Sequence, residues 1–208
     1  MLTVGNVSRF VAWRPTAPAR AVVRCLAAGA CLLWFAAGTA QAAPTDPAVK
    51  FMAQVGRELM AAARSRSPSL MASVIQKHGD VSYIALYSLG TYRAKLAADD
   101  RASYYAGVAR WMGSYAAREA PKYQVERVEW QDRSVRGSTG VMVDSRVVLS
   151  DGSSYDVRWS VVKVGGSYKV RDASVLGYWM NSLLKDMFED YVSRHNGNPR
   201  ALIAILNR

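Results

Sequence analysis

Cysteine and histidine are scarce in this sequence, each occurring twice in 208 residues. Both cysteines, Cys25 and Cys31, lie close to the start, so the remainder has no thiol nucleophile and no disulfide to staple it. Also missing are an HExxH helix, a Gly-x-Ser-x-Gly elbow, a phosphate-cradling glycine loop and a CxxC pair. Those absences remove the usual sequence signs of a metal or nucleophilic enzyme, and neither a metal nor a cofactor is expected. Long apolar runs are missing too. The one candidate, Leu26 to Ala37, falls short of the ~20 residues that a membrane span needs. Acidic residues number 16 against 27 Lys and Arg, a formal net charge of +11. Because the cations are scattered and form no runs, the balance points away from nucleic acid and toward anionic lipid surfaces or acidic partner proteins. No internal repeat, low-complexity stretch or interdomain linker is visible.

The first residues read as an export signal. Arg9, Arg14, Arg20 and Arg24 stand in a segment without acids, the apolar run follows, and Ala40-Gln41-Ala42 offers small residues for cleavage. No Arg-Arg pair precedes the run, which favours the general secretory route. Around Cys31 the apolar run continues into Leu32-Leu33-Trp34-Phe35, unlike a lipidation site. Residues 1–42 are therefore expected to be a signal peptide and Ala43 the mature start. Removing them takes away four arginines and lowers the net charge to +7. The 166 residues left suffice for a single domain, 43–208, with a substantial core.

The first half of that domain has helical period. Asp46-Pro47 and Ser67-Pro68 each place a capping side chain before a first-turn proline. Ala48, Phe51, Met52, Val55 and Leu59 follow the first at helical spacing; Leu70, Met71, Val74 and Ile75 follow the second. Asp80 caps a third helix carrying Ile84, Leu89 and either Tyr87 or Ala85 inward, with Gly90 at its end. A longer helix from Asp99-Asp100 carries Tyr104, Tyr105, Val108, Trp111, Met112 and Tyr115 up to Pro121.

The second half changes period. Tyr123 to Trp130 predicts a strand of poor alternation. Val141, Val143, Val147 and Leu149 then alternate with Met142, Asp144, Arg146 and Val148, and Asp151-Gly152 supplies a hairpin turn. Tyr155, Val157, Trp159 and Val161 continue the apolar face, and beyond Gly165-Gly166 it resumes at Tyr168 and Val170. Met180, Leu183, Leu184, Met187 and Tyr191 predict one face of a helix ended by Asn196-Gly197. Asn198-Pro199 opens a last helix with Leu202, Ile203, Ile205 and Leu206. Helices, an antiparallel four-stranded meander and helices again make an α+β domain with helices on one sheet face.

Few residues suggest chemistry. His78 and His195 each sit at a helix exit, where the simplest role is structural. Asp172, at the end of the last strand beside Leu176-Gly177-Tyr178-Trp179, is the one candidate general base. A carboxylate paired with Arg171, Arg93 or a backbone turn is the plainer expectation. What remains is bulk: Tyr, Trp and Met exceed the needs of a small core, and a sheet facing helices through such side chains leaves a gap suited to an apolar ligand.

The stretch from Asp80-Val81-Ser82-Tyr83-Ile84-Ala85 through Leu89-Gly90-Thr91-Tyr92-Arg93 to Asp99-Asp100-Arg101 resembles the MlaC or toluene-tolerance family of periplasmic lipid carriers. Tyr155-Asp156-Val157, Tyr168-Lys169-Val170-Arg171-Asp172, the Gly177 turn and the closing helix pair agree with the same pattern in order and spacing. The resemblance implies a curved cystatin-like or NTF2-like sheet wrapped by helices, with acyl chains between them. It implies a periplasmic carrier that moves phospholipid between an outer-membrane lipoprotein complex and an inner-membrane ABC transporter with an MCE-domain subunit, a system that maintains outer-membrane lipid asymmetry. Where the family has Gly-Val-Ser, this chain has Gly177-Tyr178-Trp179, and Lys185-Asp186-Met187-Phe188 replaces an Arg followed by Gln-Phe; these changes admit a polycyclic lipid such as a hopanoid. An isomerase-type enzyme using Asp172 is the alternative from another class. The residues expected to line the pocket are Leu89, Tyr92, Tyr105, Val108, Met112, Val143, Val147, Trp159, Val161, Val170, Leu176, Tyr178, Trp179, Leu183 and Met187, with Leu176, Tyr178 and Trp179 at its mouth.

Overall fold

The computed structural model of the chain describes residues 46–208. The expected signal peptide, with both cysteines, lies outside the described residues. Helix α1 spans Pro47–Ser65; the Asp46 carboxylate accepts from the N–H groups of Ala48 (2.8 Å) and Val49 (3.4 Å). The same carboxylate accepts from the Ser134 N–H and hydroxyl, tying the start of α1 to the strand layer. Helix α2, Pro68–His78, is capped by Ser67, and α3, Val81–Ser88, by Asp80. Two 3-10 stretches, Gly90–Lys95 and Ala98–Asp100, lead into α4, Arg101–Glu119.

Six strands follow among the described residues: β1 (Val125–Trp130), β2 (Val135–Arg136), β3 (Val141–Leu149), β4 (Ser154–Val164), β5 (Ser167–Val175) and β6 (Tyr178–Trp179). Helices α5, Met180–Arg194, and α6, Pro199–Leu206, close the chain. Strand order is β1-β3-β4-β5-β6, with β2 beside β3 and every pairing antiparallel. The four long strands are the expected meander. Strands β2 and β6, two residues each, are additions that no alternation longer than a residue pair could signal.

Register places Val143 opposite Trp159 and Trp159 opposite Ala173, while Val141, Val161 and Val170 form the next row. Bulges between β1 and β3 and between β4 and β5, the latter at Arg171, bend an open sheet toward the helices. Gly165 and Gly166, with φ of 55° and 82°, form the two-residue turn that a right-twisted hairpin prefers. Leu176 and Gly177 repeat it at 53° and 84°, so the apolar stretch Leu176-Gly177-Tyr178-Trp179 contains a hairpin turn. A bulky side chain in the left-handed region is unusual, since Cβ crowds the neighbouring carbonyl there.

Several faces differ from expectation. Leu70 is exposed, and of Ala85 and Tyr87 it is Ala85 that is buried. In α5 the buried line is Asn181, Leu184, Phe188 and Val192, one position round from the expected Met180, Leu183, Leu184, Met187 and Tyr191. Phe188 selects that face by standing edge-on to Trp111, ring centroids 5.6 Å apart. Tight packing explains α4 and α2: a Cβ on Gly113 would lie 2.6 Å from the Ala72 nitrogen, so glycine lets the two backbones touch.

Candidate functional site

Between the concave side of the sheet and the helices lies a cavity of about 170 Å³. Its helix walls are Val55 and Leu59 of α1, Val74, Ile75 and His78 of α2, Ile84 of α3, Met112 of α4, and Met180 and Asn181 of α5. From the sheet come Trp159, Val170, Asp172 and Ala173. Ala173 is the reason for the space: it faces Trp159 across the ladder, and a methyl group stands where the neighbouring rows have valines. The Trp159 indole is fixed upright, donating from Nε1 to the Ser145 hydroxyl at 3.0 Å and leaning on Trp130 at 6.3 Å.

Three polar side chains reach this wall, and each is engaged. His78 shares a 2.8 Å hydrogen bond with the Glu58 carboxylate and meets Phe51 edge-on. Hydrogen bonds from Gln54, His78 and Lys77 hold Glu58 down to about 2, well below the usual carboxylate range. Asn181 donates from its side chain to the Arg171 carbonyl. The Asp172 carboxylate accepts from the N–H groups of Ala173 (2.8 Å) and Asn181 (3.0 Å), and so serves the start of α5, where Trp179 offers no capping side chain. Burial pushes its pKa up, and those backbone donors offset part of the rise. The expected pairing with a backbone turn is therefore the one present. Arg171 instead bonds Asp80 at 2.7 Å and lies over the Tyr83 ring at 4.2 Å, while the Asp80 N–H donates to the Val170 carbonyl. His195 closes α5 by hydrogen-bonding the Tyr191 carbonyl and stacking on that ring.

Of the residues expected to line a pocket, Met112, Trp159 and Val170 stand on this wall. Val143 and Val161 are sealed beneath α1 with Ala48, Val49, Met52 and Val55. Leu89 and Val108 are fully buried in the helical layer. Val147, Leu183, Met187 and Trp179 are half-buried outside the wall, as are Tyr105, beside Tyr104, and Tyr92, beneath the Lys95 ammonium. Leu176 and Tyr178 are exposed on the last hairpin. The contributions of α1 and α2 were not anticipated, although Val74 and Ile75 read as inward-facing. The clearest overlooked signal is Ala173, a small residue in a strand otherwise built for bulk.

A family model described as MlaC protein matches residues 51–208. The chain belongs to the MlaC family. No curated protein matches the sequence significantly. Among solved structures, a phospholipid-binding protein from Ralstonia solanacearum, determined in complex with a phospholipid, is similar with a TM-score of 0.60 at 17% identity, over 77% of this chain and 94% of that one. The mixed helix and antiparallel-sheet fold of the MlaC family member is thus shared with that protein. Among the described residues no helix is long and apolar enough to cross a membrane, and no cluster of His, Cys, Asp and Glu could hold a metal ion.

Proposed function

We propose that this MlaC-family chain is a periplasmic carrier that takes a phospholipid across an aqueous space between membrane-bound partners. The observation that carries the proposal is the apolar cavity between sheet and helices, in a fold shared with the Ralstonia solanacearum protein determined in complex with a phospholipid. Physical chemistry explains why a carrier is needed. Two acyl chains of ~15 methylenes at ~0.8 kcal/mol each are worth ~24 kcal/mol against water. That exceeds the ~18–21 kcal/mol ceiling of noncovalent affinity, so release must be into another apolar site.

At about 170 Å³ the cavity is close to the ~150 Å³ void that accepts a single benzene, and below the ~300–1,000 Å³ of drug-sized pockets. Loading a diacyl lipid therefore requires its walls to part. The expected donors and acceptors are an outer-membrane lipoprotein complex and an inner-membrane ABC transporter with an MCE-domain subunit, reached after removal of residues 1–42. A hopanoid or other apolar lipid is the alternative cargo. The enzymatic alternative gains one observation, the raised pKa of a cavity-wall Asp172, but that carboxylate is occupied at the start of α5.

Native mass spectrometry of gently purified protein tests the carrier reading. A co-purifying lipid of phospholipid mass is expected, and consistently lipid-free protein would count against transport.

A further inference from the structure

Of the eight large apolar side chains exposed among the described residues, Leu70, Val135 and Val164 stand apart and the other five fall on two neighbouring segments. Leu176 is 61% exposed, Tyr178 50% and Met180 37%, all on the β5–β6 turn and the start of α5, and Tyr83 and Tyr87 are exposed on the neighbouring α3. Both segments also wall the cavity, through Ile84 on α3 and Met180 on α5. Met180 belongs to both surfaces, so the cavity edge and the exposed patch are continuous. The turn is open at Gly177, where an added Cβ would meet nothing within 4 Å, and with Leu176 it borders an outer groove of the sheet whose acids, Asp144 and Asp156, are paired with Arg158 and Arg146. Leu176 keeps a left-handed backbone that Asn or Gly would occupy with less strain, and exposes its isobutyl group to water while doing so.

Charge separates a bilayer from other occupants. No acidic residue occurs between Asp80 and Asp99 or between Asp172 and Asp186, whereas Arg93 and Lys95 fall in the first stretch; Lys185, in the second, is paired with Glu189. Asp80 is buried and paired with Arg171, whose guanidinium backs the Tyr83 ring. A protruding leucine flanked by tyrosines is chemically suited to the headgroup boundary, where amphipathic rings settle and a deformable apolar medium accepts the tip without a matching pocket. We propose that this patch seats on an anionic lipid bilayer, so that the cavity edge at Met180 faces the membrane interface. The proposal rests on the carrier reading and adds the surface through which cargo meets a membrane.

Flotation with vesicles tests it, using protein purified from cells expressing the whole chain. Vesicles of phosphatidylcholine containing phosphatidylglycerol should carry the protein up the gradient more strongly than phosphatidylcholine alone. Leu176→Asn should reduce that binding about tenfold, the scale expected for withholding one leucine from an apolar phase. Because Asn tolerates the left-handed backbone, the variant should unfold at the same or higher denaturant concentration; Tyr178→Ser gives a second reading at a position with ordinary backbone. Wild-type protein that stays at the bottom with anionic vesicles would overturn the proposal, as would variants that float equally well. Transfer to a protein acceptor that both variants slow, with flotation unchanged, would overturn it in favour of a protein docking surface. Lipid content measured on the same samples keeps the two ideas apart: lipid-loaded protein that does not float contradicts only the membrane contact.

Discussion

Two neighbouring parts of the same sheet face end differently. Val143 and Val161 are sealed, whereas Trp159, Val170 and Ala173 border empty space. The sealed part is covered by α1 alone, whose Ala48 and Val49 let the helix settle onto the strands beside Met52. Over the other part, the helices are braced on one another and on strand edges. Gly113 locks α4 to α2, and α3 is held to β5 by the Asp80–Arg171 pair and the Asp80 N–H to Val170. Where the first turns of α1 lie directly on the strands the layer is filled; where α2, α3 and α4 are held by their neighbours a gap stays open. The energetic consequence is that identical deletions should cost different amounts on the two sides.

Methionine gives the direct comparison. Met52→Ala in the sealed part should destabilise by ~2–5 kcal/mol in urea, because it adds a cavity to a closed core. Met112→Ala on the cavity wall enlarges space that is already empty, and should cost the delipidated protein less than ~2 kcal/mol. Equal losses would erase the distinction between the two parts. Next in size, Asp80→Ala removes the α3 cap and leaves Arg171 without its carboxylate, with an expected loss of ~1–3 kcal/mol. If the braces hold the gap open, that variant should also change lipid occupancy, measured by native mass spectrometry. Unchanged occupancy would leave Asp80 a cap alone.

These contrasts show what the residue order could and could not convey. Capping and period marked the helices at Asp46-Pro47, Ser67-Pro68, Asp80 and Asn198-Pro199, because those signals are local. Alternation likewise marked β3, β4 and β5 and their shared apolar face, while β1 alternates poorly. The cavity is a different kind of object: it depends on Trp159 facing Ala173 across a register and on helices being held away from that pair. Apolar content alone therefore did not separate the sealed Val143 and Val161 from the cavity-wall Val170. The α5 face was similarly ambiguous, since two overlapping stripes exist and the choice between them depends on tertiary contacts such as that of Phe188 with Trp111.

Smaller effects sharpen the electrostatics of the wall. Asp172→Asn keeps an acceptor oxygen for the Asn181 N–H, so a stability change below ~1 kcal/mol and unaltered lipid content are expected. Loss of a measurable turnover with lipid content intact would instead revive the enzymatic alternative. Glu58 has its pKa lowered to about 2 from an ordinary 4.5, so its stabilising contribution is present above pH 4.5 and is lost as pH falls toward 2. Glu58→Gln should accordingly flatten the dependence of the unfolding midpoint on pH across that window; an unaltered slope would remove the Glu58 cluster as its source.

The central claim is that the space beside Ala173 receives an acyl chain, and filling that space tests it most directly. Ala173→Phe places a ring opposite Trp159, in the existing void, while leaving the sealed layer under α1 untouched. Lipid extracted per mole of folded protein should fall sharply in Ala173→Phe relative to the wild type, with cooperative unfolding retained in both. Full lipid occupancy in a folded Ala173→Phe protein would contradict the claim and move the binding site elsewhere on the molecule.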